Sequence, residues 1–400
     1  MRLLIVQYAG DYGEAVKRFA SGGGETYYAQ KYSVDAVAEI AKQTKETTVL
    51  CCLTPAPYNE MLENGVRAIG AGFNQSIDPQ ALIQLIAAQR PTHLVLTAPI
   101  REVLRWTIRN QVQAAVVLAD SFNGKDLRSR FRGFRLSQLL NHDRIAWIGN
   151  HGIGSSLTLR HIGVKPRKII PWDWPAIITP AAFEPKMLTT NSTRNLIYVG
   201  ALSEAKGLGD VLEAIAQLKA QNYLVHLKVA GKREQEYFIN KAKQLQIEDA
   251  IEFLGLVPHD RVVSLMNAAD AVIVPSRHDY PEGVPMTIYE ALCSRTPIVA
   301  SDHPMFRSNL RNNVDALIFP AGDVPALANS LQKLFSDANL YSKISFASQN
   351  AWEQLQIPVK WADLLKSWVF DSPENQQWRS KYQLDSAFYR DRLAKYQPQK

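Results

Sequence analysis

Short apolar runs rich in β-branched residues recur along this chain with longer amphipathic stretches between them, and that alternation restricts the fold more than any other feature. Strands are expected near 2–8, 47–53, 92–97, 114–119, 144–149 and 167–170, and helices near 25–43, 79–89, 100–112, 127–140 and 152–161. Strand and helix alternating at these lengths imply a parallel sheet covered on both faces. Pro171, Pro175, Pro180 and Pro185 then break the rhythm and mark a linker. The alternation restarts with strands at 195–200, 224–230, 251–255, 271–274, 297–300 and 316–319, and helices at 207–220, 233–246, 259–268, 284–294 and 324–336. At 400 residues the chain exceeds one ordinary core, so two α/β domains are expected. We place the first over 1–172, a linker over 173–193 and the second over 194–344. A helical crossover with Trp352, Trp361 and Trp368 follows over 345–370, and a polar tail over 371–400 is expected to dock loosely. Ligands of such sheets bind at the carboxyl ends of the strands, here in a cleft between the two domains.

Composition narrows the class. Hydrophobic residues make up 46% and charged residues 21%, which describes a soluble globular protein. No apolar run approaches the roughly 20 residues needed to span a bilayer, and Met1–Gly10 reads as a first strand rather than a signal peptide. Cys51, Cys52 and Cys293 show neither a disulfide framework nor metal-ligand spacing, which suggests a reducing cytoplasm. The eight histidines are dispersed and form no metal pattern. The net charge of +7 belongs wholly to residues 1–180, where Lys and Arg number 21 against 14 Asp and Glu. Its densest part runs from Lys125 to Arg135, with Arg128, Arg130 and Arg132 interleaved with Phe131 and Phe134. Such a surface can meet anionic lipid, nucleic acid or an acidic acceptor; the same pattern also fits a solvated helix with snorkelling arginines.

The chemistry concentrates between 276 and 301. Glu282 and Glu290 stand either side of Gly283-Val284-Pro285, with strand-like runs before and after. Pro285 suits a first helical turn, so Glu282 is expected at the helix mouth and Glu290 within the helix. Two carboxylates at that spacing can hold hydroxyls of a two-part ligand, while the positive helix N-terminus between them suits an anion. A sugar joined through phosphates to a ribose has that layout. Lys206 precedes Gly207 in a turn that opens a helix, where an ammonium can reach a diphosphate. Gly22, Gly23 and Gly24 lack Cβ atoms and would permit a close phosphate approach, or simply form a flexible loop.

Taken in order, these segments resemble the glycosyltransferase family 4 (group 1) domain of the GT-B fold. The resemblance runs through Ile197-Tyr-Val-Gly200, Lys206-Gly207, Phe253-Leu-Gly255, Asp270-Ala-Val-Ile-Val-Pro275-Ser276, Glu282 to Glu290 and Phe319-Pro-Ala-Gly-Asp323, covering about 195–336. It implies two Rossmann-like domains, the first binding acceptor and the second a nucleotide-sugar donor. By the same resemblance Glu290 matches the ribose-binding carboxylate and Glu282 lies by the transferred sugar. Gly200, Lys206 and the backbone at Gly283 and Val284 hold sugar and phosphates, and Gly22–Gly24 approach the donor. The implied reaction retains anomeric configuration, uses neither metal nor cofactor, and meets leaving-group charge with basic groups. The chain departs from the pattern at Ala201, where the family has Arg; at Arg295, where it has Gly; and at Trp172-Asp173-Trp174-Pro175, the domain junction. Arg277, Arg295 and Arg233 are candidates for the missing cation. Asp120 stands where a family His lies near the acceptor; it can take part in catalysis as a proton acceptor, or cap the following loop.

The expected activity is transfer of a hexose from a nucleoside diphosphate sugar to a hydroxyl acceptor, whether glycan, lipid or small molecule, by a cytoplasmic protein that meets the membrane at its periphery and binds no nucleic acid. The alternatives are a GT-B protein that binds a nucleotide sugar without transferring it, motivated by Ala201 and Arg295, and a nucleotide-sugar epimerase.

Overall fold

The computed structural model describes residues 1–394 apart from 75, 123–125, 281 and 283–285. The chain divides into two compact units, one of Met1–Pro175 with Ile357–Lys400, the other of Ala176–Gln356. The first is built on eight strands: β1 (Arg2–Gln7), β2 (Glu46–Cys51), β3 (Pro57–Met61), β4 (Arg67–Ala71), β5 (His93–Leu96), β6 (Gln113–Leu118), β7 (Ile145–His151) and β8 (Ile169–Trp172). Their order is β3-β4-β2-β1-β5-β6-β7-β8, and every neighbouring pair is parallel except β3 with β4. β1 lies centrally, with Leu3 facing Thr47 on one side and His93 on the other. Its run Leu3-Leu4-Ile5-Val6 is buried throughout, as a strand covered on both faces must be.

The second unit holds β9 (Arg194–Val199), β10 (Val225–Ala230), β11 (Ile251–Gly255), β12 (Ala271–Val274), β13 (Ile298–Ser301) and β14 (Ala316–Phe319). They form one parallel sheet in the order β11-β10-β9-β12-β13-β14. In both sheets the chain winds outward from a central strand, returns, and continues on the other side. The reversal falls between β1 and β5 in the first unit and between β9 and β12 in the second. Loops leaving adjacent strands there diverge and open a crevice.

Several expectations need correction. Two helices, Tyr12–Ala20 and Gln30–Ala41, stand where one was expected: the second falls within 25–43, and the first was not foreseen. Asp11 caps the first by accepting from the Glu14 amide, so Asp11 and Glu14 are a capping signal. Gly22–Gly24 therefore follow the first helix rather than precede it, and Gly22, with φ +82°, turns the chain out of it. β3 and β4 were not foreseen, because β3 is a polar edge strand that opens on Pro57. The segment expected as a linker is divided: Asp173 is buried in the first unit, and Lys186 donates from its amide to Ser345 Oγ at 2.7 Å in the second. The crossover region splits into Ala338–Leu355 in the second unit and Trp361–Val369 in the first.

The tail is not loosely docked. Pro373–Lys381 is a helix capped by Ser372, the Leu384 amide donates to Ile169 O of β8 at 2.9 Å, and Leu384 and Tyr389 are 0% exposed within the first core. Leu384→Ala is expected to lower the stability of the first unit by about 2–4 kcal/mol, as core truncations do. Urea unfolding followed by tryptophan fluorescence checks this; an unchanged midpoint would return the segment to a surface role.

Candidate functional site

Two loops meet at the β9–β12 reversal. The loop after β9 runs from Gly200 to Gly207 and leads into the helix Leu208–Ala220; the loop after β12 runs from Pro275 to Glu282 and leads toward Met286–Cys293. Gly207 adopts φ +76°, and a Cβ there would meet Pro275 O at 2.3 Å, so only glycine lets the first loop lie against the second. The Arg277 amide donates to Ala205 O at 2.9 Å and ties them together. Arg277 also forks onto the buried Asp210 carboxylate at 2.9 and 2.5 Å, the bidentate geometry guanidinium favours.

This framing places Lys206 against Glu282, Nζ to Oε1 at 2.5 Å. The same oxygen accepts from Ser276 Oγ at 2.6 Å, and the Lys206 ammonium lies 4.4 Å from the centre of the Tyr280 ring, within cation–π range. The Glu282 amide donates to Tyr280 O at 2.9 Å. His303 Nδ1 accepts from the Met305 amide, so its Nε2 carries the hydrogen donated to Tyr280 O at 3.1 Å. Burial lowers the His303 pKa, which keeps the ring neutral in that role. Glu282 is 4% exposed, so the carboxylate that the sequence sets beside a ligand is here the anchor of the ammonium.

Glu290 projects from Met286–Cys293, one turn after Thr287, whose Oγ1 donates to Val199 O at the end of β9. Glu290 is 7% exposed, and burial raises its pKa to about 7. His259 Nδ1 lies 3.3 Å from Glu290 Oε1; a protonated imidazole would favour the carboxylate, yet with so little exposure burial is the stronger effect. Gly200 ends β9 at this reversal. Gly283 and Val284 lie outside the described residues. Gly22–Gly24 and Asp120 belong to the first unit. Asp120 follows β6 with its backbone carbonyl accepting from Asn150 Nδ2 at 2.9 Å; partial desolvation raises its carboxyl pKa although the residue keeps an exposed surface.

Of the three candidates for the missing cation, two are occupied elsewhere. Arg277 is held by Asp210, and Arg295 is buried with φ +60°, donating to Phe183 O and Phe346 O. Arg233 pairs through its backbone with Leu202, beside Ala201. Sequence reasoning missed Ser276, Tyr280, His259 and His303 as members of the site. Only His259 carried a signal, as the first residue of a helix directly after Pro258.

Residues 183–351 match the family described as glycosyl transferases group 1. Over 143 residues the chain is 29% identical to the amylovoran biosynthesis glycosyltransferase AmsK of Erwinia amylovora, covering 35% of each chain. It is 28% identical to the glycogen synthase of Mycobacterium tuberculosis over 143 residues, covering 36% of this chain and 34% of that one. The match thus spans about a third of the length of these curated relatives. Among solved structures, sucrose-phosphate synthase from Thermosynechococcus elongatus superposes with a TM-score of 0.66 at 15% identity, over 95% of this chain and 98% of that one. HepE of Anabaena, solved in complex with UDP-glucose, gives 0.61 at 15% identity, over 89% and 95%. The fold is GT-B.

Two outcomes test the site's physics. The folded second unit holds a proton on Glu290 up to about pH 7, whereas the unfolded carboxyl releases it near 4.5. Stability is therefore greatest below pH 4.5 and falls as pH rises through about 7, by roughly 3 kcal/mol in all. Glu290→Gln is expected to flatten that slope in urea titrations, and a slope that survives would assign it to another group. Gly207→Ala is expected to destabilise the second unit by more than about 1 kcal/mol, read from the same titrations at one pH.

Proposed function

From the match of residues 183–351 to the glycosyl transferases group 1 family, we propose that this chain transfers a hexose from a nucleoside diphosphate sugar to a hydroxyl acceptor. The observation that carries this reading is the Lys206–Glu282 pair at the β9–β12 reversal, together with the buried carboxyl of Glu290 on the helix Met286–Cys293. HepE, which shares the fold, was solved with UDP-glucose, and this supports a nucleotide-sugar donor here.

In this reading the ribose hydroxyls donate to Glu290. A carboxyl already stripped of water loses little further solvation when a diol docks, and the two hydrogen bonds favour its ionised form. Donor binding would then release a proton below about pH 7. The diphosphate competes with Glu282 for Lys206, whose ammonium is held in place by Tyr280 and Glu282 before the donor arrives. As the bond from sugar to phosphate lengthens, charge grows on the departing oxygen and the attraction to Lys206 strengthens, so the stabilisation is larger in the transition state than in the ground state. Glu282 already accepts two hydrogen bonds on Oε1, which suits a residue that positions Lys206 and the sugar better than a nucleophile. We assign retention of configuration, by attack on the face the phosphate leaves, and no metal. Arg233 is the cation we place in the role left by Ala201.

The first unit is read as the acceptor domain, with Asp120 receiving or orienting the acceptor hydroxyl and Gly22–Gly24 approaching the donor. Its basic helix Leu127–Leu140 exposes Leu127, Phe131 and Phe134 at 80%, 60% and 55%. These positions fall on one helix face among Arg128, Arg130, Arg132 and Arg135, the pattern of a helix lying in an anionic membrane surface. Lys125 lies outside the described residues, and no helix among the described residues is long and apolar enough to cross a membrane.

Glu290→Ala is expected to weaken donor binding by at least about 10-fold by calorimetry, and Lys206→Ala to lower kcat by about 100-fold with little change in donor affinity. Undiminished donor affinity in the first variant would remove Glu290 from the ribose site; the absence of any transfer with acceptor extracts would favour a pure binding protein. A thermal-shift panel of sugar nucleotides, with and without chelator, identifies the donor and tests metal independence. Sedimentation with phosphatidylserine vesicles is expected to carry the protein down at low salt, and the Phe131→Ser, Phe134→Ser double variant to stay in solution.

A further inference from the structure

The first sheet has its own reversal, between β1 and β5, and a cavity of about 410 Å³ lies there. Ile5, Gln7 and Gly10 reach it from β1 and its loop, Thr97 follows β5, and Leu118 and Ala119 end β6. Trp172, Trp174 and Trp361 close one side, and Tyr12 and Tyr27 the other. All of these residues belong to the first unit. The volume is that of a ligand site rather than a packing defect, and the exposed Gly10, Tyr27 and Ala119 form its mouth.

Several of the polar groups in the wall are already engaged. Gln7 Nε2 donates to Ala9 O at 2.9 Å and Ser33 Oγ to Gln30 O at 2.8 Å. Thr97 Oγ1 accepts from the Tyr8 amide at 2.9 Å. The Tyr12 hydroxyl donates to Val34 O and accepts from Asn64, and Trp172 Nε1 donates to Leu118 O. A nucleobase or sugar ring entering this space would give up hydrogen bonds to water with few in return. An aliphatic chain gives up none and gains contact with five aromatic rings.

We propose that this cavity binds the aliphatic chain of the acceptor, making the acceptor a lipid whose hydroxyl-bearing head group lies at the mouth. The assignment rests on the transferase reading for the word acceptor, while the binding of a chain stands on the cavity alone. The exposed apolar stripe on Leu127–Leu140 of the same unit is where such a molecule would be met, at a membrane surface.

The three wall tryptophans make the test direct. With the full chain, a bromine-tailed dodecanol is expected to quench tryptophan fluorescence saturably. Dodecyl β-D-glucoside below its micelle concentration should reverse the quenching, and methyl β-D-glucoside should not. Val117→Phe, on the cavity floor, is expected to weaken quenching at least 10-fold. Ala119→Trp at the exposed rim blocks the mouth without disturbing the core and decides the matter if the first variant fails to fold. Competition by farnesol as strong as by dodecyl glucoside assigns an isoprenoid source for the chain, and weaker competition a straight acyl source; either supports the proposal. Quenching that is absent, that survives both variants, or that methyl glucoside or uridine reverses overturns it. Chain binding without any sugar transfer sinks the transferase reading and leaves the cavity assignment intact. Equal transfer to methyl and dodecyl glucosides without quenching does the opposite.

Discussion

Parallel strands joined by helices must wind in one hand, and a sheet that grows on both sides of a central strand must reverse direction once. This constraint decides where each unit can bind anything. Elsewhere along the strand ends, successive loops turn the same way and cover the sheet. At β1–β5 and at β9–β12 they part, and backbone amides, carbonyls and side chains that would be buried under a loop instead line an opening. The two openings are furnished with opposite chemistry. One holds an ammonium, two carboxyls and two histidines; the other is lined mostly by aromatic and aliphatic side chains.

The electrostatics of the second opening follow from tethering. Arg277 is fixed by Asp210, and its amide holds the neighbouring loop. Tyr280 is fixed through its carbonyl by His303, and Lys206 is fixed by Tyr280 and Glu282. Each residue is thus restrained before any ligand arrives. A lysine side chain free in water would lose considerable rotamer entropy on binding a phosphate; here much of that loss has been incurred in folding. The pair is also partly withdrawn from water, since Lys206 is 16% and Glu282 6% exposed in their side chains, so its field is less screened than that of a surface ion pair.

Much of this was legible in the sequence, for physical reasons. In the second unit β12 and β13 are wholly buried apolar runs and β9 and β14 largely so, and runs of that kind announce themselves. Lys206 and Glu282 stood out as charges in the loops between such runs, and Glu290 as a charge inside an otherwise apolar helix. What stayed hidden was set by three-dimensional neighbours. Nothing local tells that Glu282 and Lys206, 76 residues apart, would share a contact, or that His259 would sit by Glu290. β3 escaped because an edge strand needs no apolar alternation. The tail escaped for the reverse reason: Leu384 and Tyr389 are two anchors in a polar segment, too sparse to show periodicity yet each completely buried.

That tail has a consequence for how the protein is made. The first unit draws core residues from both ends of the chain: Leu3–Val6 at one, and Trp361, Leu384 and Tyr389 at the other. During synthesis the strands of the first sheet emerge from the ribosome early but lack part of their covering until residues 361–389 have followed. The contiguous second unit can close while translation is still under way. The later-made half is thus positioned to finish first, and the earlier half must wait, with unsealed apolar surface that chaperones would recognise.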